Sequence, residues 1–154
     1  MARPRVKFQL WTLFIRRLAS RDRLQRFGLN IELSCVFCTE LESIDHLFFN
    51  CRSTQEVWNK ILMWIGYTHV GQEWNIEKNW IVQELRKRGW KRQLLKIALA
   101  ETTYSLWKAR NEIIFNNIPM AQDIATRIKY IFVICSRLHR AIKEHICLEI
   151  LSIH

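Results

Sequence analysis

A cluster of cysteine and histidine between residues 35 and 51 constrains the fold more than any other part of the chain. Cys35, Cys38, His46 and Cys51 stand in the spacing C-x2-C-x7-H-x4-C. Structural zinc sites take four thiolate or imidazole ligands in a tetrahedron, all supplied by protein. A C-x2-C pair followed closely by a His/Cys pair is a specific sign of such a site. We therefore predict that these four residues bind Zn²⁺.

Two other interpretations of this cluster remain open at this point. Free cysteine is often a small core residue, so the four side chains could simply be buried together. A disulfide would leave one of the three local thiols unpaired, and nothing else indicates an oxidising compartment. Asp45, next to His46, is either a partner that orients the imidazole or an ordinary acid in the first turn of a helix.

The sequence lacks the residue patterns that several common classes of enzyme need. With four protein ligands, the predicted zinc has no open position for activating water. Two-metal polymerase or nuclease chemistry needs clustered carboxylates, whereas Asp22, Asp45 and Asp123 are far apart in the sequence. No Gly-rich phosphate loop or nucleophile motif is present. We expect neither an enzyme nor a small-molecule substrate.

The net charge of +10 indicates a polyanionic partner or serves solubility. Residues 1–30 hold eight Lys/Arg and one acid, residues 31–66 two basic and five acidic residues, and residues 67–154 fourteen basic and eight acidic residues. The predicted zinc segment is thus acidic, and nucleic acid, either RNA or DNA, would bind to its basic flanks.

Two basic clusters are the candidate contacts for phosphate. They are Arg16, Arg17, Arg21, Arg23 and Arg26 in the first, and Arg86, Lys87, Arg88, Trp90, Lys91 and Arg92 in the second. Trp90 could stack on a base. Each cluster also has a plainer interpretation, a solvated helix face for the first and a nuclear localisation patch for the second.

The first twenty residues predict an amphipathic helix of the folded domain. Its expected buried stripe is Phe8, Trp11, Phe14, Ile15 and Leu18. A mitochondrial presequence at residues 1–20 is the open alternative, because the segment is basic and poor in acids. No apolar run of about 18 residues exists, so we predict no membrane span.

Helical patterns account for most of the remaining chain. Ser20 is expected to cap a short helix that ends at Gly28, and Ser43 to cap one that carries His46 and turns Phe48 and Phe49 towards the core. A capping box at 53–56 should open a helix that ends at Gly66. Further helices are predicted at about 76–88, 90–116 and 120–150. Cys135 should be a core residue of the last helix.

These elements predict an all-α fold in which short helices surround the zinc site and a long antiparallel helical hairpin follows. The predicted domains are a zinc-binding domain at 1–66, a linker at 67–75 and a helical extension at 76–154.

Several phrases of the sequence resemble one family. They are Arg5-Val-Lys-Phe-Gln-Leu-Trp11, Leu18-Ala-Ser-Arg-Asp-Arg-Leu-Gln-Arg-Phe-Gly28, the C-x2-C pair, Glu42-Ser43-x-x-His46-Leu-Phe-Phe-x-Cys51 and Val57-Trp58. Over about residues 5–66 the chain resembles the reverse-transcriptase zinc-binding domain of plant LINE-type (non-LTR) retrotransposon proteins. The later Trp107-Lys-Ala-Arg-Asn-Glu-Ile-Ile-Phe115 resembles what often follows that domain.

The resemblance implies a non-catalytic accessory module whose metal ligands are Cys35, Cys38, His46 and Cys51. Such a module is thought to help the element's protein hold nucleic acid, in the nucleus or the cytoplasm. Two alternatives stay open: a zinc-stabilised protein-interaction module that docks a partner on its C-terminal helices, and an inactive retroelement remnant.

Overall fold

The computed structural model describes residues 4–118 and 123–137, and these residues form an all-α fold. The helices are α1 (Pro4–Phe14), α2 (Arg21–Arg26), α3 (Arg52–Trp64), α4 (Trp74–Arg86), α5 (Trp90–Asn116) and α6 (Ile124–Arg137), with a π-helical turn at His46–Asn50 between α2 and α3. Within these ranges the sole β-type pairing is an isolated antiparallel bridge between Ser34 and Leu41. The predicted all-α class is confirmed.

Helix α1 forms where the amphipathic pattern predicted it, but it buries a different face. Proline begins it, at a position where the missing N–H costs nothing. Of the predicted stripe, Leu18 alone is buried, whereas Phe8 is 65% and Trp11 54% exposed and both Phe14 and Ile15 are also exposed. The prediction of the buried stripe was therefore wrong for four of its five members.

The face that α1 buries is narrower and less aromatic than the predicted one. Val6, Gln9 and Leu13 are its buried residues, and α1 packs against α5. The amide of Gln9 donates a hydrogen bond to the carbonyl of Thr103 in α5, at 3.4 Å. The buried face of α1 thus combines two aliphatic side chains with one amide that is hydrogen-bonded across the helix contact.

Helix α2 forms where the sequence predicts it, but the predicted side-chain cap does not form. Ser20 is the N-cap, and its hydroxyl donates to the carboxylate of Asp22 instead of capping a backbone N–H. Gly28 follows the helix with a φ of +84°, a left-handed conformation that glycine adopts without strain. The chain then runs without helix to the bridge at Ser34.

Helix α3 begins at Arg52, with Cys51 as its N-cap. The predicted capping box at 53–56 was wrong. Ser53 donates to the carbonyl of Phe37, and the hydroxyl of Thr54 donates back to the carbonyl of Cys51. The helix starts earlier than predicted, and the carbonyl of Cys51 accepts the N–H of Gln55 at 2.9 Å. Its core face contains Val57, Trp58, Ile61, Leu62 and Ile65, and Gly66 follows with a φ of +82°.

The connection between α3 and α4 is hydrogen-bonded to both helices. The amide N–H of Gly71 donates to Oδ1 of Asn59. The carboxylate of Glu77 is fully buried and accepts hydrogen bonds from Trp58 Nε1 at 2.7 Å and from the amide of Gln72 at 2.9 Å. The ring of His69 lies 2.8 Å from the same carboxylate through Nε2.

Helix α5 is the central helix and has the predicted bounds. Gly89, with a φ of +119°, precedes it, and Asn117, with a φ of +50°, follows it. Buried residues occur on several of its sides, because α1, α3, α4 and α6 all pack against it. Helix α6 returns along α5 after the short connection 117–123, and Phe132 meets the ring of Trp64 of α3 edge-on at 5.2 Å. The predicted hairpin is confirmed.

In the described residues one apolar core, from Leu13 to Phe132, joins these elements except α2, which has no buried residue. The predicted continuation of the last helix to residue 150 lies outside the described residues, as does the side chain of Cys135. Among the described residues no helix combines the length and the apolar character that spanning a bilayer requires.

Candidate metal centre

The side chains of Cys35, Cys38, His46 and Cys51 converge. One ligand atom from each, three Sγ atoms and an imidazole nitrogen, all lie within 4.8 Å of one another. The Sγ of Cys38 lies 3.0 Å from Nε2 of His46. A tetrahedral zinc with bonds of about 2.0–2.3 Å separates its ligand atoms by roughly 3.5–3.8 Å. The donor set fits one tetrahedral ion, while the 3.0 Å between Cys38 Sγ and His46 Nε2 is shorter than this separation and the 4.8 Å limit of the set is longer.

The first two cysteines lie in a tight backbone knuckle. The amide of Thr39 donates to the carbonyl of Cys35 at 3.0 Å, and the amide of Phe37 points at the Cys35 sulfur at 3.5 Å. Thr39 takes a φ of +70° to complete the turn. On the outer side, the amide of Cys35 donates to the carbonyl of Glu40 at 2.6 Å. Local hydrogen bonds thus aim both sulfurs in one direction.

The other two candidate ligands lie at the two ends of the π-helical turn: His46 is its first residue, and Cys51 follows its last. The amide of His46 donates to the Ser43 hydroxyl at 3.1 Å, as the predicted cap requires. The amide of Cys51 donates to the carbonyl of His46 at 2.7 Å, a bond that spans five residues. This wider turn, uncommon in proteins and frequent at functional sites, brings residues 46 and 51 to the same point. Leu47, Phe48 and Phe49 lie buried between them, as predicted.

The three thiols shift one another's pKa values. A hydrogen bond from the Cys35 thiol lowers the pKa of Cys51 to about 4. The same bond, together with burial, raises the pKa of Cys35, and burial raises the pKa of Cys38. A divalent cation between these sulfurs would favour the thiolate form of all three, so metal and protons compete for the site.

Glu40, and not Asp45, lies beside the imidazole. A carboxylate oxygen of Glu40 is 3.5 Å from Nδ1 of His46, the ring nitrogen that faces away from Cys38. Asp45 instead accepts hydrogen bonds from Nη1 and Nη2 of Arg16, at 2.8 and 3.0 Å. The suggestion that Asp45 orients the imidazole is therefore wrong. Glu40 sits two residues after the second cysteine, and its sequence position alone carries no sign of this contact.

The first basic cluster makes many contacts within the chain. Arg16 pairs with Asp45, and Arg26 pairs with Asp22 at 2.7 Å. Arg21 donates to the backbone carbonyl of Ser34. Arg23 donates to the carbonyl of Arg16 at 2.6 Å and lies over the ring of Phe27.

Arg17 completes this cluster and has an exposed side chain. The contacts of its neighbours hold the segment between α1 and α2 against the candidate metal centre.

The second basic cluster spans the end of α4 and the start of α5. Its cations are Arg86, Lys87, Arg88, Lys91 and Arg92, and Trp90 is half-buried among them. Four of the cations line a groove, whereas Arg86 does not.

Two contacts that the sequence did not reveal join this centre to α5. The guanidinium of Arg110 donates to both carboxylate oxygens of Glu42, at 2.7 and 3.3 Å, and both side chains are almost wholly buried. The ring of Trp107 lies 6.4 Å from that of Phe48 and over the Arg110 guanidinium. The Trp107–Phe115 phrase contains both α5 partners, which is the one signal that could have pointed to them.

Comparison with known proteins bears on the first part of the chain. Residues 1–58 match the model of a family described as zinc-binding in reverse transcriptase. No curated protein and no solved structure matches the chain. The matched segment includes α1, α2, the knuckle, the π-helical turn and the start of α3, and therefore all four residues of the candidate metal centre. Residues 1–58 are thus similar to the zinc-binding domain of reverse transcriptases.

Proposed function

We propose that this chain is a zinc-binding, non-catalytic accessory domain derived from a LINE-type retrotransposon reverse transcriptase protein, and that it binds nucleic acid through its basic surface. The observation that carries the proposal is the convergence of three sulfurs and one imidazole nitrogen within 4.8 Å, inside the segment that matches a family described by zinc binding. Cysteine-rich tetrahedral sites with four protein ligands are typical of structural zinc.

Zinc would act here as a structural cross-link. Cys35 and Cys38 hold the knuckle, while His46 and Cys51 hold the π-helical turn and the start of α3. Between these elements the chain has little regular hydrogen bonding, with one isolated bridge in the described residues. An ion that binds both elements therefore supplies the long-range order that a sheet or a larger core provides elsewhere.

The contacts of the aspartates support a non-catalytic role. Asp22 pairs with Arg26, Asp45 pairs with Arg16, and Asp123 accepts hydrogen bonds from Thr126. Nucleotidyl transfer needs carboxylates that converge on two metal ions about 4 Å apart, and these three carboxylates each make a different contact within the chain.

Metal content is the experiment that tests the zinc part. Purified protein should contain one zinc per chain by native and elemental mass spectrometry, and a chelator should lower its melting temperature. Cys38→Ser should lose the metal, while Arg52→Ala, at an exposed position next to the site, should retain it. Protein that is metal-free after refolding with zinc, and whose melt the chelator leaves unchanged, would contradict the proposal.

Electrostatics supports nucleic acid as the partner. The chain carries a net charge of +10, and phosphate neutralisation releases counterions, so that affinity falls steeply with salt. We expect binding of RNA or DNA oligonucleotides whose logarithmic affinity falls linearly with the logarithm of salt concentration. Affinity that is undetectable at about 50 mM salt, where such contacts are strong, would refute this part of the proposal.

One observation favours a protein-interaction module as the second candidate. Phe8 and Trp11 are exposed side by side on α1, with their rings 5.9 Å apart, and Phe14 and Ile15 extend this apolar surface. Exposed apolar surface of this kind often marks an interface. The C-terminal helices, where such a module was expected to dock its partner, also expose Phe115 of α5 and Tyr130 of α6. Self-association or partner binding that is insensitive to salt and abolished by Phe8→Ser and Trp11→Ser would support this candidate.

A further inference from the structure

A groove of about 500 Å³ lies outside the matched residues, where the loop after α3 meets the end of α4 and the start of α5. Its volume is within the range of pockets that hold a small ligand or one unit of a polymer. The groove is bordered by residues 66–69, by one turn of α4 and by residues 87–92. It is therefore separate from the candidate metal centre.

One side of the groove is cationic. Lys87, Arg88, Lys91 and Arg92 line it, and Glu84 is the one carboxylate among the lining residues. Glu84 pairs with Lys87, which leaves three cations in excess. The ammonium group of Lys91 lies 3.5 Å from the carbonyl of Gly66, a neutral partner. The groove thus carries positive charge that its own residues do not balance.

The other side of the groove is aromatic and held in place. The His69 ring stacks on Trp80, with 3.8 Å between centroids and 7° between planes. Tyr67 meets Trp80 edge-on at 5.4 Å. Behind the rings, His69 Nε2 lies 2.8 Å from the buried carboxylate of Glu77. Aromatic rings that are fixed before binding lose little entropy when a planar ligand stacks on them.

The start of α5 departs from the usual helix pattern in a way that favours an anion. Its N-cap is Gly89, with no side-chain cap, and no acidic residue lies in its first turn. Lys91 and Arg92 are there instead, although the helix dipole disfavours cations at this end. The Nε of Arg92 is buried without a hydrogen-bond partner among the described residues. A departure from local rules that nothing compensates is a sign of a functional site.

We propose that this groove binds single-stranded nucleic acid, RNA or DNA. An unpaired base packs against the rings of Tyr67, His69 and Trp80, and the neighbouring phosphates lie on the cationic side. Proteins that bind single strands combine these two components, a basic channel and aromatic rings. A base inside a duplex is stacked on its neighbours and is not available to the rings. The inference rests on the proposed function and deepens it, because it names the strand state and the place of contact.

Abasic oligonucleotides separate this inference from the proposed function. An abasic strand keeps the phosphates but offers nothing to stack. We expect single-stranded RNA or DNA of about ten nucleotides to bind the full chain at least tenfold more tightly than an abasic strand of equal length, since each stacked base contributes strongly. Equal affinities would overturn the groove inference and leave charge-driven binding intact. Absence of binding to every strand at low salt would refute both.

Substitutions and cross-linking locate the contact. Arg88→Glu with Lys91→Glu should weaken binding at least tenfold, whereas Lys96→Glu with Arg127→Glu, an equal charge change at exposed positions outside the groove, should weaken it no more than threefold. Both proteins should keep the parental melting temperature. Oligonucleotides carrying 5-iodouracil should cross-link to peptides that contain Tyr67, Trp80 or Trp90. Cross-links confined to Phe8 and Trp11, or equal losses in the two double variants, would overturn the inference.

Discussion

Arg110 and Glu42 form a buried ion pair across 68 residues of sequence, with 2.7 Å between Arg110 Nη2 and Glu42 Oε1. Glu42 also accepts the backbone N–H of Arg21 at 2.9 Å. The carboxylate therefore links three segments: the start of α2, the strand-like stretch after the knuckle, and α5. A buried charge is costly unless it is paired and hydrogen-bonded, and here both conditions are met.

Removal of Arg110 should be strongly destabilising. Arg110→Met leaves the Glu42 carboxylate buried without its charge partner, and we expect a loss of about 3–5 kcal/mol in the free energy of unfolding. Urea denaturation followed by circular dichroism measures it. Lys108→Met is the matched control, because Lys108 is half-exposed in the same helix and a surface pair contributes about 0–1 kcal/mol. Similar losses in the two variants would show that the buried pair contributes no more to the free energy of unfolding than a surface pair does.

Loss of the metal should unfold α5 together with the matched segment. Phe49 lies 4.5 Å from Trp74 of α4 between ring centroids, and Phe48 contacts Trp107 of α5. We expect Cys38→Ser and His46→Ala to lower the melting temperature by more than about 10 °C, because several kcal/mol of metal-linked stability are lost. The helical signal should disappear in one transition.

The same melt tests the predicted division of the chain into a zinc-binding domain at 1–66 and a helical extension at 76–154. A second transition, in which helical signal persists after the first part has unfolded, would favour that division. The shared core from Leu13 to Phe132 leads us to expect one transition.

Local signals predicted the helix bounds well, and long-range contacts could not be predicted. Gly89 and Asn117 flank α5, and both take positive φ angles, so residue type alone located the two ends. The prediction of the buried face of α1 was wrong because that helix carries two apolar stripes. The packing surface of α5 decides between them, and it selects Val6 and Leu13 over Phe8.

The ligands of the candidate metal centre could be predicted from the sequence, but the residues that surround and contact them could not. Spacing identified the three cysteines and the histidine, because ligands on two short elements must lie close in sequence. The partners of Glu42 and the neighbour of the imidazole depend on how distant segments pack. Sequence adjacency offered Asp45 as one possible partner of the imidazole, whereas the turn of the knuckle brings Glu40 to His46.

Glu40→Gln should weaken zinc binding, and Asp45→Asn should not. A carboxylate next to the second nitrogen of a metal-bound imidazole fixes its tautomer and raises its basicity, and its loss typically costs 10–100-fold in affinity. Glu40 is 75% exposed at 3.5 Å, so we expect a decrease near the lower bound, about tenfold. Competition with a chromophoric chelator measures the affinity. Equal affinities for both variants and the parent protein would mean that neither carboxylate assists the histidine.

Gly71 tests whether the 67–73 connection is part of the packed fold. A Cβ at this position would lie 2.9 Å from Cδ1 of Trp58 and 3.0 Å from Oδ1 of Asn59, and the latter atom accepts the Gly71 N–H at 2.7 Å. Because the Trp58 ring is itself buried and donates a hydrogen bond to Glu77, it cannot move aside easily. We expect Gly71→Ala to cost about 1–3 kcal/mol, the usual range for overpacking.

The control for this substitution is Gln72→Ala. The Gln72 side chain is exposed, and the hydrogen bond to Glu77 comes from its backbone, so we expect a change within about 0.5 kcal/mol. Denaturant titration of both variants gives the comparison. If Gly71→Ala is as neutral as its control, the close approach of Gly71 to Trp58 and Asn59 does not constrain the connection.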